Sequence, residues 1–220
     1  MPFIALGKGK PKKTTSQCQK PRGLFGRFVL WSMNRRHSAV TDWGLHHVVI
    51  DAHDTILDAG CGGGRTVAKL GAAASQGFVH GIDYSAESVA AARRLNERLI
   101  EQGRVEIREA SAMALPFAND TFDLVTAVET HFWWQDLPAG MREVHRVLKP
   151  GGRLAVIAEF YNGGRHAKYA KRLGEYTTMA VMDVEQHRAM FTDAGFADVQ
   201  IDEERSKGWL CCIGTKRSQP

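Results

Sequence analysis

The chain has 220 residues, 44% hydrophobic and 24% charged, which suits one principal globular domain and excludes collagen-like, wholly disordered and membrane-embedded classes. Its formal charge is +5, yet nine of the 29 basic residues (Lys8, Lys10, Lys12, Lys13, Lys20, Arg22, Arg27, Arg35 and Arg36) precede the first acid, Asp42, so the rest carries 20 bases against 24 acids. The body therefore lacks the basic excess of a broad phosphate-binding face, and a nucleic-acid partner is not expected. Four cysteines without a spaced C-x-x-C pair argue against a disulfide framework or a zinc site and for a reducing, cytoplasmic setting.

Residues 1–22, rich in Gly, Lys and Pro and without periodicity, read as a flexible basic tail. Leu24, Phe25, Phe28, Val29, Trp31 and Met33 then form one apolar face, so residues 23–50 are expected to be a helical cap. From Asp54 short β-rich runs alternate with helical stretches, the pattern of a parallel sheet covered on both faces. Strands are expected at Thr55–Ala59, Phe78–Asp83, Val105–Glu109, Phe122–Val128 and Arg153–Glu159. Helices are expected at about Arg65–Ala73, Ala86–Gln102 and Pro138–Leu148, the second capped by Ser85 and the third closed by Lys149-Pro150-Gly151-Gly152. A last helix near Val184–Ala194 precedes strands Val199–Glu204 and Trp209–Gly214, whose short connection, Arg205 to Gly208, permits only an antiparallel hairpin. The expected fold is α/β: a Rossmann-like doubly wound sheet of seven mostly parallel strands over residues 51–220, with a substrate-cap insertion at 161–183.

Two segments carry the chemistry. Ile56-Leu57-Asp58-Ala59-Gly60-Cys61-Gly62-Gly63-Gly64-Arg65 is a strand, a glycine turn and a helix start, which lets backbone approach a ligand and offers free N–H groups to an anion. Arg65 stands where a dinucleotide fingerprint needs its last glycine, which counts against a nicotinamide cofactor. Asp83 ends the next strand, where a carboxylate can accept from both ribose hydroxyls, and Tyr84 beside it can lie on a purine face. The histidines share no ligand spacing and no metal site is expected.

In LDAGCGGGRT, HGIDYSAESVAAAR, ASAMALPFANDTFDLVTAVET and REVHRVLKPGGRLAVI, taken in order over roughly 50–160, the chain resembles a class I S-adenosylmethionine-dependent methyltransferase of the small-molecule type, similar to the ubiquinone and menaquinone methyltransferases. The resemblance implies S-adenosyl-L-methionine as cofactor and S-adenosyl-L-homocysteine as product. It places Asp58, Gly60 and Gly62 at the methionine end, Asp83 at the ribose and Tyr84 at the adenine. Ser111 and Ala112 fall at the adenine edge, and Glu129 faces the methionine part and the acceptor. After the fourth strand, Glu129-Thr130-His131-Phe132-Trp133-Trp134 is dense in aromatics, so His131 and Glu129 are the candidate catalytic residues and either Trp a candidate wall. The helix around Arg35-Arg36-His37 and Trp43, and the stretch after Glu159, are further segments able to close a pocket. The expected reaction is in-line methyl transfer to O, N or C of a small aromatic or apolar metabolite by a monomer or homodimer. The alternatives are an RNA methyltransferase using the basic arm, or a non-catalytic cofactor-binding interaction module.

Overall fold

The computed structural model describes residues 37–218; the expected tail and the first part of the helical cap, residues 1–36, lie outside them. Seven strands, β1 (Thr55–Ala59), β2 (Phe78–Asp83), β3 (Val105–Glu109), β4 (Phe122–Val128), β5 (Leu148–Ala158), β6 (Phe196–Glu204) and β7 (Trp209–Lys216), form one sheet in the order β3-β2-β1-β4-β5-β7-β6. The first five are parallel, whereas β7 runs antiparallel to both β5 and β6, as the four-residue connection requires. Successive side chains of β1 show the two-sided burial directly. Leu57 and Ala59 join the core beneath α5 (Leu137–Val147), while Ile56 joins the opposite core beneath α2 (Arg65–Ala73) and α3 (Ala86–Leu95). In α5 the buried residues Met141, Val144 and Val147 recur at helical spacing, each contributing roughly 1.5–3 kcal/mol of apolar burial.

Three boundaries differ from the expectation. The helix foreseen over 86–102 breaks at Asn96 into α3 and α4 (Glu97–Glu101), because the buried Asn96 Nδ2 donates to the carbonyls of Ala92 at 2.9 Å and Gly64 at 3.0 Å. That side chain ties the helix end to the glycine turn. Gly64 has a left-handed φ of 83°, and a Cβ there would lie 2.7 Å from the Ala92 backbone and 2.6 Å from Asn96 Nδ2. Asn96→Ala is expected to lower stability by about 1–2 kcal/mol, read from the denaturant midpoint.

The segment expected as a plain helix stop, Lys149-Pro150-Gly151-Gly152, is the start of β5. Leu148 pairs with Phe122, and the register then shifts before Arg153 pairs with Leu124. Asp123 holds this bulge by accepting from Lys149 Nζ at 2.8 Å and from the Thr55 N–H at 2.9 Å. Strand β6 begins at Phe196 rather than Val199, with a bulge between Ala197 and Gln200 around Asp198, whose φ is 50°.

Helix α1 (Ser38–His46) lies against β5 and β7. Gly44 permits this approach, since a Cβ there would meet Ile157 at 2.6 Å. Lys69 of α2 holds the start of α1 by donating to the Ser38 carbonyl at 3.1 Å and pairing with Asp42. Within the expected insertion, α6 (Ala167–Tyr176) buries Ala170, and the following Met179 packs on Phe132 and Ala158. Helix α7 (Val184–Asp193) starts on a capping box in which Asp183 accepts from the Gln186 N–H at 2.8 Å. Among the described residues no helix is long and apolar enough to cross a membrane.

Candidate functional site

Strand order reverses between β1 and β4, and the carboxyl ends of β1, β2 and β4 open onto a cleft of about 310 Å³, where open α/β sheets bind ligands. The glycine turn after β1 forms its floor. The N–H groups of Gly60 and Cys61 both donate to the Ile82 carbonyl at 2.8 Å, fastening the turn to the end of β2. Gly60 has a φ of 93°, and a Cβ there would sit 2.1 Å from Thr130 Oγ1, so the turn and the post-β4 loop touch only because the residue is glycine.

Asp83 is the polar centre of this wall. One carboxylate oxygen accepts from the Gly62 N–H at 3.0 Å and the other from the Ser85 N–H at 2.9 Å. Burial pushes its carboxyl up, opposed by those two N–H donors. A carboxylate offers about four acceptor positions and the Ser88 hydroxyl also donates to this one, so one position is open and a second ligand hydroxyl would take the place of Ser88. Tyr84, Ser111, Ala112 and Met113 line the cleft from β2 and the loop after β3, with Ser111 Oγ accepting from the Met113 N–H at 3.2 Å. Glu129 lines it after β4, in a left-handed conformation with φ 57° and accepting from the Glu159 N–H. Trp133 and Trp134 complete the wall, the latter also packed into the main core.

Two expected site residues lie elsewhere. Asp58 does not line the cleft: it is 1% exposed, accepts from Thr126 Oγ1 at 2.7 Å across the β1–β4 pairing, and burial pushes its carboxyl to about 7. Alternation along β1 puts its side chain on the face that Ile56 shares, beside Thr126 of the neighbouring strand. His131 is likewise 1% exposed and outside the cleft. Its Nε2 lies 3.1 Å from His187 Nε2 of α7, because the single turn of 3₁₀ helix at His131–Trp133 rotates it away from the cleft. The catalytic role expected of it is therefore not matched by a place in the cleft lining. His187 Nδ1 in turn lies 2.7 Å from the Asp183 carbonyl, to which it donates; its Nε2 therefore accepts from His131.

Burial depresses both imidazoles, so the folded protein keeps them neutral. Their stabilising contribution is intact above about pH 6.5, the unfolded value, and is lost as pH falls below it, at up to about 1.4 kcal/mol per pH unit for each ring. Denaturant midpoints at pH 7.5 and 5.5 are expected to show this slope in the wild type and a flatter one in His131→Phe/His187→Phe.

Sequence reasoning did not assign His37 and Thr41 of the α1 start, Arg65 and Thr66 at the N-terminus of α2, or Ser88, all of which line the cleft. Only the lid reading of the His37 segment pointed that way. Among the described residues, none of 161–183 lines it. His37, Glu129 and Glu159 present ligand atoms within 4.8 Å of one another, a donor set that chain order alone does not bring together.

The fold and this cleft define a Rossmann-like nucleotide-cofactor enzyme. A methyltransferase domain model matches residues 57–156. The demethylmenaquinone methyltransferase of Lactiplantibacillus plantarum is 30% identical over 199 residues, covering 79% of this chain and 82% of that protein. An O-methyltransferase of Pyrenophora dematioidea is 39% identical over 101 residues, covering 46% of this chain but only 38% of its own length. Among solved structures, a chain of the complex between the Haloferax volcanii Trm112 methyltransferase activator and its methyltransferase superposes with a TM-score of 0.75 at 20% identity, covering 87% of this chain and 95% of that one. The chain belongs to the class I S-adenosylmethionine-dependent methyltransferases, and its cofactor is S-adenosyl-L-methionine.

Proposed function

We propose that the protein methylates a small aromatic or apolar metabolite, within the cytoplasm, as a monomer or homodimer. The observation that carries this reading is the wall beyond Asp83: Trp133, Trp134, Met113 and Val128 give the cleft an apolar, aromatic side next to Glu129. Similarity to the demethylmenaquinone methyltransferase and to an O-methyltransferase supports the same substrate class.

In this reading Asp83 accepts from both ribose hydroxyls and Tyr84 flanks the adenine, with Ser111 and Ala112 at the adenine edge. Gly60 and Gly62 leave room for the methionine part. The N–H groups opening α2, with Arg65, offer its carboxylate positive charge, and Glu129 faces the reacting end. The cofactor supplies an electrophilic methyl group on a sulfonium. The walls supply alignment of the acceptor behind the carbon–sulfur bond and exclusion of water, which an in-line displacement needs.

The test is transfer of labelled methyl from S-adenosylmethionine to phenols, quinols and arylamines, with transfer RNA and ribosomal RNA in parallel. Turnover of the small acceptors is expected. Transfer confined to RNA, lost on removing residues 1–22, would establish the nucleic-acid reading instead. Cofactor binding without transfer to anything would leave an interaction module.

A further inference from the structure

With His131 turned away, the cleft still contains one imidazole. His37 lines it, with its backbone fixed because its carbonyl accepts from both the N–H and the hydroxyl of Thr41, at 2.9 and 2.7 Å. Its Nε2 lies 3.9 Å from Glu159 Oε2, with both side chains mostly buried at 14% and 18% exposure. That carboxylate oxygen is inaccessible to solvent and accepts no hydrogen bond, so the imidazole is the group it faces. Glu159 is itself held in place, its N–H donating to Glu129 across the ends of β4 and β5. A histidine lining a cleft and backed by a carboxylate is the arrangement of a general base whose cationic form is stabilised, and such contacts tighten when a ligand closes the site.

We propose that His37 is the general base of this enzyme, positioned by Glu159, and that the acceptor is a neutral hydroxyl compound. The proposal rests on the small-molecule methyl-transfer reading above and assigns its acceptor atom. A hydroxyl is a poor nucleophile until its proton leaves. The imidazole of His37, with the Glu159 carboxylate 3.9 Å away to offset its charge, takes the hydroxyl proton as the oxygen attacks the methyl carbon. The new carbon–oxygen bond forms as the carbon–sulfur bond breaks, its electron pair remains on sulfur as the thioether, and the imidazolium returns its proton to water. Glu129 and Glu159 balance that transient charge; the other charged or titratable groups on the same walls are Cys61, Arg65, Asp83 and Tyr84.

The experiment uses the full chain with phenol, hydroquinone, aniline and benzylamine as acceptor probes, and measures S-adenosylmethionine affinity by calorimetry for every variant. Methylation of the hydroxyl probes is expected, with kcat falling about 100-fold or more in His37→Gln while cofactor Kd stays within about threefold. Glu159→Gln is expected to shift the rising limb of the kcat–pH profile to lower pH, and Glu159→Asp to restore it in part, which a merely structural role for Glu159 would not produce. Hydroxyl turnover retained in His37→Gln overturns the proposal. So does turnover confined to the amines, where the two carboxylates would be holding an ammonium, or a wild type that binds cofactor and methylates no hydroxyl. Activity abolished by EDTA and restored by Mg²⁺ or Zn²⁺ would assign the three side chains to a cation and overturn it too. Loss of cofactor binding in the wild type is the separate result that sinks the reading beneath it.

Discussion

Asp83→Ala is expected to weaken S-adenosylmethionine binding by about 100-fold or more. Two hydrogen bonds to a charged carboxylate are each worth about 1.5–3 kcal/mol, and 1.4 kcal/mol is a factor of ten in Kd. The same carboxylate accepts from the Gly62 and Ser85 N–H groups, so the variant also frees the glycine turn and the start of α3. Asp83→Asn separates the two effects: its remaining oxygen can accept one of these bonds but without charge, so an intermediate loss of affinity with a smaller loss of thermal stability is expected. Because burial raises the Asp83 carboxyl, cofactor affinity in the wild type should begin to fall at a higher pH than an ordinary aspartate would dictate. Calorimetry from pH 8 to pH 5 measures this. Equal affinity in the wild type and Asp83→Ala would remove the ribose role from this residue.

Gly60→Ala is expected to cost on the order of 3 kcal/mol of stability and to abolish cofactor binding. The added Cβ meets Thr130 Oγ1 at 2.1 Å and Thr130 Cβ at 2.7 Å, at a backbone conformation of φ 93° that side chains disfavour by roughly 1–2 kcal/mol. The turn cannot withdraw freely, since Gly60 and Cys61 are both bonded to Ile82 and Gly62 to Asp83. Adding Thr130→Ala removes the hydroxyl and methyl contacts but not the Cβ contact or the backbone strain, so only part of the stability should return. A denaturant titration of the single and double variants checks the partition. No destabilisation in the single variant would show that the turn and the post-β4 loop are not packed as described.

Much of the fold was readable from local pattern. Strands β1 to β4 and helix α2 lie where period-2 and period-3.6 spacing put them, since each is bounded by residues that act within a few positions, such as Ser85 capping α3. The helix break at Asn96 was not readable, because an Asn in a helical pattern signals nothing until the distant Gly64 carbonyl is brought beside it. The extension of β5 through Lys149-Pro150-Gly151-Gly152 was hidden for the same reason: its anchor, Asp123, is 26 positions from Lys149 in the chain.

The cofactor half of the site shows the same division. The sequence by itself determined the glycine turn, Asp83 and Tyr84, because the turn and its acid follow consecutive strands of one βαβ unit, where spacing converts almost directly into position. Only the tertiary structure decided where Asp58, His131 and His37 lie. Alternation along a doubly covered strand buries Asp58, and one 3₁₀ turn rotates His131 onto His187. His37 comes to Glu129 and Glu159 through the seating of α1 on β5 at Gly44, a contact between segments more than a hundred residues apart that no local pattern records.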